Sequence, residues 1–383
     1  MSKRPPVFDV DAVLDTAQIL VCTGSGGVGK TTTAASLALR AAERGRRTVV
    51  LTIDPAKRLA QSMGLTELDN TPRAVVGIDT SAGGSLDAMM LDMKRTFDEI
   101  VLTHAEDDKA AAILDNPFYQ ALSSSFAGTQ EYMAMEKLGQ LKATGDYDLI
   151  VVDTPPTRSA LDFLDAPDRL TTFLDGRMVK ILLAPAKVGG KAYLKVVSTG
   201  FNVFTGIITK IIGASFLQDV SQFVGALETM FGGFRERAQS TYDLLKAPGT
   251  AFVVVAAPEP DALREASYFV ERLETEAMPL AGLVVNRVHR TAGAALTAER
   301  SVAAAQVLDA DGSHPLASAV LRLHADRVAL SARERRLQDR FSGAHPSVPV
   351  VEVAAQPGDV HDLAGLRSVG ADLAGGAAAA VPA

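Results

Sequence analysis

The sequence predicts an α/β fold, a doubly wound and mainly parallel sheet with helices on both faces. Three observations lead to this prediction. Short apolar runs rich in β-branched residues recur along the chain, helical stretches separate them, and a glycine-rich loop joins the first run to the helix after it. This alternation is typical of strands that are covered on both sides.

Seven runs have the length and composition of buried strands. Each is short, apolar and bounded by turn or polar residues. They are Ile19–Thr23, Thr48–Ile53, Arg73–Ile78, Asp148–Asp153, Thr250–Ala256, Gly282–Asn286 and Val348–Val353. A helix is predicted over Thr31–Arg44, because Gly45 follows it and glycine commonly ends helices.

Two long stretches, about residues 85–141 and 167–247, interrupt the alternation. Neither shows a strand pattern, and both place apolar residues at helical spacing. The faces include Leu86, Met89, Met90, Met93, Phe97 and Ile100 in the first, and Phe204, Ile207, Ile208, Ile211 and Ile212 in the second. We expect one domain spanning residues 1–383, in which these insertions form an α-helical subdomain. Their faces would serve as helical core or as an apolar groove or dimer surface. Residues 371–383 are expected to form a disordered tail.

Composition narrows the classes of function. The formal net charge of −7 argues against a general nucleic-acid binder. Cys22 is the only cysteine, which excludes an intrachain disulfide and a multi-cysteine metal site. The chain has no uninterrupted apolar run of about 18 residues and no signal-peptide pattern. We therefore expect no integral membrane segment and a cytoplasmic location.

The first predicted strand leads into Gly24-Ser25-Gly26-Gly27-Val28-Gly29-Lys30-Thr31, which matches the phosphate-binding pattern Gly-x4-Gly-Lys-Thr. Glycines let backbone N–H groups surround phosphates, and the helix that follows adds the positive end of its dipole. Lys30 is expected to reach the β- and γ-phosphates, and Thr31 to bind Mg²⁺. Thr32 completes the predicted nucleotide site.

Two aspartates end predicted strands, Asp54 before Pro55 and Asp153 before Thr154. The carboxyl ends of strands are where an open α/β sheet collects its ligand groups. Asp153 is therefore expected to hold Mg²⁺ through water. The prolines that follow both aspartates stiffen loops that can respond to the γ-phosphate. Together with the glycine loop, these residues predict an ATP phosphohydrolase with Mg²⁺ as cofactor.

These motifs resemble the arsenite-pump and tail-anchored-protein-targeting ATPase family, the ArsA type. This family lies among the deviant Walker A P-loop NTPases, with MinD, ParA and nitrogenase iron protein. The resemblance covers nearly the whole chain. It rests on the glycine loop, on Asp54-Pro55-Ala56 as switch I and on Asp153-Thr154-Pro155-Pro156-Thr157 as a variant of switch II. We expect a bacterial member.

The resemblance implies roles for four residues. Asp54 would orient the attacking water and lie near Mg²⁺ through water, and Asp153 would support the metal. Asn286 would hydrogen-bond adenine, and Pro357 would line the adenine pocket. The resemblance also implies a dimer that ATP closes.

The chain departs from the family pattern in three ways. Ser25 stands where the family usually has a lysine that reaches the partner's phosphate, and losing such a charge weakens transition-state stabilisation. We therefore expect either a homodimer or a heterodimer with a related paralogue that supplies its own lysine. The single cysteine argues against arsenite pumping. The family's Cys-x-x-Cys pair is absent from the sequence, so no structural zinc is expected.

The leading functional hypothesis is an ATP-driven switch whose helical subdomain binds a hydrophobic helix client. The alternative is a MinD- or ParA-like positioning or partitioning ATPase, which a DNA- or liposome-binding assay would separate. A metabolic kinase or ligase is a third reading, and it would need an acceptor pocket in place of the apolar insertions.

Overall fold

The computed structural model describes residues 6–54, 58–104, 107–116, 119–120, 129–155, 236–237, 239–291, 296–312 and 314–375. The chain divides into two compact units. One comprises Met1–Met90, Gly145–Ala160 and Leu245–Ala383, and the other comprises Leu91–Thr144 and Leu161–Leu244. The predicted apolar face at residues 204–212 lies outside the described residues.

The first unit contains one sheet of eight strands. They are β1 (Ile19–Gly24), β2 (Arg47–Thr52), β3 (Arg73–Ala74), β4 (Ser85–Met90), β5 (Leu149–Asp153), β6 (Thr250–Ala256), β7 (Leu280–Val288) and β8 (Val350–Ala354). Their order is β3-β4-β2-β5-β1-β6-β7-β8, and every pair is parallel except β3 with β4. Every residue of β1, β5 and β6 is buried, as expected for apolar central strands covered on both faces.

Helices connect these strands in the first unit. Numbered along the whole chain, they are α1 (Val10–Thr16), α2 (Lys30–Glu43), α3 (Arg58–Ser62), α7 (Pro260–Thr275), α8 (Ala298–Asp311), α9 (Pro315–Ala344) and α10 (Leu363–Leu373). Helix α2 packs on β1, β2 and β5, and α10 packs on α2 and β8. This packing holds the start of α2 at the carboxyl end of the sheet. It lies next to β1, which has β5 on one side and β6 on the other.

The second unit contains α4 (Met93–His104), α5 (Asp107–Leu114) and α6 (Thr129–Thr144). Phe97 and Ile100 on α4 are buried, as are Met133 and Leu138 on α6. The Phe97 and Tyr119 rings meet edge to face with centroids 5.4 Å apart. Of the apolar face predicted for the first insertion, Phe97 and Ile100 therefore belong to the core of this unit.

The sequence prediction was wrong at residues 85–90 and 73–78. Residues 85–90 form β4, which pairs in parallel with β2, and do not begin a helical insertion. Six residues are too few for periodicity to separate a strand from a helix, and pairing with β2 decides the outcome. Of residues 73–78, only Arg73–Ala74 forms a strand, which pairs antiparallel with β4 at the edge of the sheet. Val76 is 84% exposed there, so this run is not a buried strand.

The prediction that the disordered tail begins at residue 371 was also wrong. Residues 371–373 form the last turn of α10, where Leu373 is fully buried. The carboxylate of Asp372 accepts a hydrogen bond from the backbone N–H of Ala354 at 3.0 Å, which fixes this turn to β8. Residues 376–383 lie outside the described residues. None of the described helices combines the length and apolarity that a membrane span requires.

Candidate functional site

The loop between β1 and α2 requires glycine at both ends. A Cβ on Gly24 would lie 2.1 Å from the carbonyl oxygen of Val255 on β6, so the backbones approach too closely for a side chain. Gly29 has a φ of +95°, and a Cβ there would lie 2.2 Å from Nδ2 of Asn286. Gly29 is also the N-cap of α2 and supplies no side-chain cap. The first N–H groups of α2 are therefore not capped by that residue's side chain.

Lys30 is the first residue of α2, directly after this loop. Its Nζ donates a hydrogen bond to the carbonyl oxygen of Ser25 at 2.8 Å, and the residue is 6% exposed. An ammonium carries three donors, so this contact leaves two. Burial lowers the pKa of Lys30, while the charges of Asp153 and Asp54 oppose that shift. The start of α2 thus carries a buried cation where the N-cap residue supplies no side-chain acceptor.

Asp153 ends β5 beneath the loop. Its Oδ2 accepts hydrogen bonds from Thr31 Oγ1 at 2.8 Å and from Thr52 Oγ1 at 3.0 Å. These residues come together because Asp153 is the register partner of both Cys22 on β1 and Thr52 on β2. The carboxyl ends of β1, β2 and β5 therefore converge on this carboxylate.

The environment of Asp153 disfavours the charged form of its carboxyl group. The residue is fully buried, and burial raises the pKa of its carboxyl to about 6, against the opposing effects of the two threonine hydrogen bonds and Lys30. Its Oδ1 is buried and has no hydrogen-bond partner among the described residues. A buried oxygen without a hydrogen-bond partner destabilises the folded protein unless a ligand supplies that partner.

The donors around Asp153 fit a Mg²⁺ ion. Thr31 and Asp153 present hydroxyl and carboxylate oxygens, the ligand type that Mg²⁺ prefers. Sites of this kind use one or two carboxylates together with water and phosphate. Among the described residues no cluster of three or more His, Cys, Asp or Glu side chains is suited to a metal.

Asp54 follows β2 at the same edge and is half-buried. Its backbone N–H donates to Thr52 Oγ1 at 3.2 Å, and the backbone N–H of Ile53 donates to the carbonyl oxygen of Asp153 at 3.0 Å. Sequence reasoning missed Thr52. The signal was a hydroxyl residue two positions before Asp54, where it can accept from that residue's N–H.

Asn286, on β7, contacts the glycine loop. Its Nδ2 donates to the carbonyl oxygen of Val28 at 2.9 Å, and its Oδ1 accepts from the N–H of Arg287 at 3.0 Å. Asn286 is 8% exposed, and Arg287 has a φ of +63°. The adenine contact expected of Asn286 stays a prediction, and the contact with the loop is an additional finding.

The other predicted residues occupy the same edge or lie outside the described residues. Ser25 is half-buried, Gly26 and Gly27 are exposed, and Thr32 is half-buried in the first turn of α2. Pro357 is exposed in a bend after β8, next to β7 in the sheet. Outside the described residues are Pro55, Ala56, Pro156 and Thr157.

Comparison with known proteins supports the resemblance. The model of the family described as "Anion-transporting ATPase" matches residues 17–302. "ATPase ARSA2" of Chlamydomonas reinhardtii is 30% identical over 276 residues, covering 69% of this chain and 66% of that protein. "ATPase get3" of Aspergillus terreus is 28% identical over 269 residues, covering 69% and 71%.

A third relative is longer. "Putative arsenical pump-driving ATPase" of Halobacterium salinarum is 34% identical over 211 residues, which cover 50% of this chain and 31% of that protein. The matched part therefore spans about a third of this relative, and just under two thirds of the algal protein. The family match includes the glycine loop, Asp54, Asp153 and Asn286. This chain belongs to the anion-transporting ATPase family, a family of ATPases.

Proposed function

We propose that this protein is an ATP-hydrolysing molecular switch of the ArsA and tail-anchored-targeting type. The observation that carries the proposal is the convergence of Lys30, Thr31, Asp54 and Asp153 at one edge of the sheet. Phosphate binding alone would need only the loop and the helix start. The two aspartates supply what hydrolysis needs in addition, which is support for a metal and a base for water.

Lys30 and the backbone N–H groups at the start of α2 bind the β- and γ-phosphates. Thr31 and Asp153 would hold Mg²⁺, the first through its hydroxyl and the second through water at Oδ1, which has no hydrogen-bond partner among the described residues. Bound Mg²⁺ supplies charge neutralisation at the phosphates. Thr32 closes the phosphate site in the first turn of α2, while Asn286 and Pro357 flank the base.

Asp54 orients the attacking water and accepts its proton. Its place directly after β2 suits this role, because strand ends in this fold lie against the bound phosphates. Asp54 lies close enough to Lys30 and to Asp153 for their charges to interact. A carboxylate in a loop that follows a strand end can change its direction when the γ-phosphate leaves.

The switch acts through a dimer. Ser25 carries no charge where the resemblance implies a lysine that crosses to the partner, and its carbonyl already accepts from Lys30. A homodimer would therefore lack one cation at each transferring phosphate. A related paralogue with that lysine would supply it, which favours a heterodimer.

The client is a hydrophobic helix and not an arsenical. Cys22 is fully buried, and burial raises the pKa of its thiol, so it is not a metalloid ligand. The α4 face is core, so the client surface is assigned to the apolar pattern at residues 204–212. That assignment rests on sequence and on the family resemblance.

The proposal is tested by trapping the ATP state. Asp54→Asn protein is purified from cells with Mg-ATP, its mass is measured by light scattering, and the retained proteins are identified by mass spectrometry. We expect a dimer that retains proteins with a hydrophobic helix near one end, and both are released with Mg-ADP. A monomer in both nucleotides, or retention that ignores nucleotide, would contradict the switch. Retention of DNA or lipid instead would favour the positioning ATPase.

A further inference from the structure

The hydroxyl of Thr52 lies between the two segments that carry the site's carboxylates. Thr52 ends β2 and is 1% exposed. Its Oγ1 is 3.0 Å from Oδ2 of Asp153, 3.2 Å from the backbone nitrogen of Asp54 and 3.3 Å from the carbonyl oxygen of Asp54. One oxygen therefore touches both the metal-supporting aspartate and the residue that activates water.

The direction of these hydrogen bonds follows from the available proton. A hydroxyl has one proton, and the Asp153 carboxylate is both the nearer and the stronger acceptor. The N–H of Asp54 then donates to a lone pair of the same oxygen. Burial excludes water as a substitute partner, so both contacts depend on this hydroxyl.

The contact also selects which oxygen of Asp153 is left open. Thr31 and Thr52 both donate to Oδ2, and the buried Oδ1 has no hydrogen-bond partner in the described part of the chain. Two donors that approach one oxygen from α2 and from β2 fix the plane of the carboxylate. The oxygen that remains is the one assigned above to metal-bound water.

We propose that Thr52 is a positioning residue for ATP hydrolysis, whose single hydroxyl orients Asp153 and sets the direction in which the chain leaves β2 at Asp54. A movement of either aspartate is thereby passed to the other. The proposal rests on the ATPase function above, and it is independent of the dimer and of the client.

Thr48, on the same strand, shows what a merely structural hydroxyl does here. It is fully buried like Thr52, and its Oγ1 donates to the carbonyl oxygen of Arg46, the residue just before β2, at 3.3 Å. The Thr48 hydroxyl therefore donates its proton to a nearby backbone carbonyl, at the end of β2 opposite Thr52. It offers a matched control with the same residue type, strand and burial.

The experiment compares Thr52→Val, Thr52→Ser and Thr48→Val with the unmodified chain. Valine keeps the branched shape and removes the hydroxyl, whereas serine keeps the hydroxyl. Thr52→Ala replaces the valine variant if that variant does not fold. The first measurement is amide hydrogen exchange of residues 52–54 without nucleotide. The second is the affinity for ATP with and without Mg²⁺, and the third is steady-state turnover.

We expect Thr52→Val to speed exchange at Asp54 about tenfold. Its Mg²⁺-dependent gain in ATP affinity should fall about tenfold, as expected when one buried hydrogen bond to a charged group is lost. The maximal rate should fall with it, while ATP affinity without Mg²⁺ stays within about twofold of the unmodified chain. Thr52→Ser should restore all three measurements, and Thr48→Val should leave them unchanged.

Equal behaviour of Thr52→Val and Thr48→Val in exchange and in Mg²⁺ dependence would overturn the inference. Failure of serine to restore what valine removes would overturn it as well. If the unmodified chain hydrolyses no ATP, the proposed function fails, but the exchange measurement still decides whether Thr52 holds Asp54.

Discussion

At the scale of residues, Asp153 is a charged group in a place that disfavours charge. Because burial raises the pKa of its carboxyl to about 6, the folded protein binds this proton more tightly than the unfolded chain does. Its contribution to stability is therefore present below pH 4 and is lost as the pH rises through 6. At neutral pH the ligand-free protein is destabilised by the charge of Asp153, the group that we propose supports its metal.

Replacing Asp153 with asparagine should stabilise the protein without nucleotide. The amide keeps an acceptor for Thr31 and Thr52 but carries no charge, so the free energy of unfolding at pH 7 should rise by up to about 3 kcal/mol. The gain should vanish near pH 4. Urea unfolding at several pH values, without nucleotide or Mg²⁺, measures it.

Asp148→Asn provides a control of opposite sign. The hydrogen bond from Arg47 lowers the pKa of Asp148, so its charge stabilises the folded state above pH 4. That variant should be less stable at pH 7. An Asp153→Asn protein less stable than the unmodified chain at every pH would show that the buried charge is not the dominant effect.

At the scale of elements, β7 supports the glycine loop through one side chain. The amide of Asn286 donates to the carbonyl oxygen of Val28, the residue before the positive-φ Gly29. The loop is thus held by β1, by α2 and by a strand two positions away in the sheet. Asn286 should therefore influence phosphate binding as well as the adenine contact proposed for it.

Asn286→Ala separates these two roles. Loss of a buried hydrogen bond should weaken pyrophosphate and ATP binding alike, by about tenfold at most, because the loop that binds phosphate is less well held. Calorimetric titration with both ligands measures the change. Asn116→Ala is the matched control, since Asn116 is equally buried in the other compact unit. A loss confined to ATP would leave adenine binding as the only role of Asn286.

Local pattern predicted some of these elements and not others. The strand before the glycine loop and the helix after it were predictable, because their residues are apolar or helix-forming within one continuous window. The strand at residues 85–90 was not, because six residues fit both periods and only the pairing with β2 decides. Thr52 and the Asn286 contact depend on register and on strand order, which residues close in sequence do not encode.

At the scale of the whole molecule, ATP hydrolysis is expected to depend on Asp54 and ATP binding on the glycine loop. Asp54 stands at the carboxyl end of β2, while Asp148 stands just before β5, at the amino end of the same sheet. The loop, Lys30 and Thr31 remain intact when either aspartate is changed. Binding and turnover can therefore be separated in one pair of variants.

The most direct test of the central claim is ATP turnover by the Asp54→Asn protein, measured beside its affinity for Mg-ATP. Removing a general base should lower the maximal rate at least about 100-fold, and the affinity should stay within a few fold. Asp148→Asn should hydrolyse ATP at the rate of the unmodified chain. Turnover by Asp54→Asn at the unmodified rate would contradict the account.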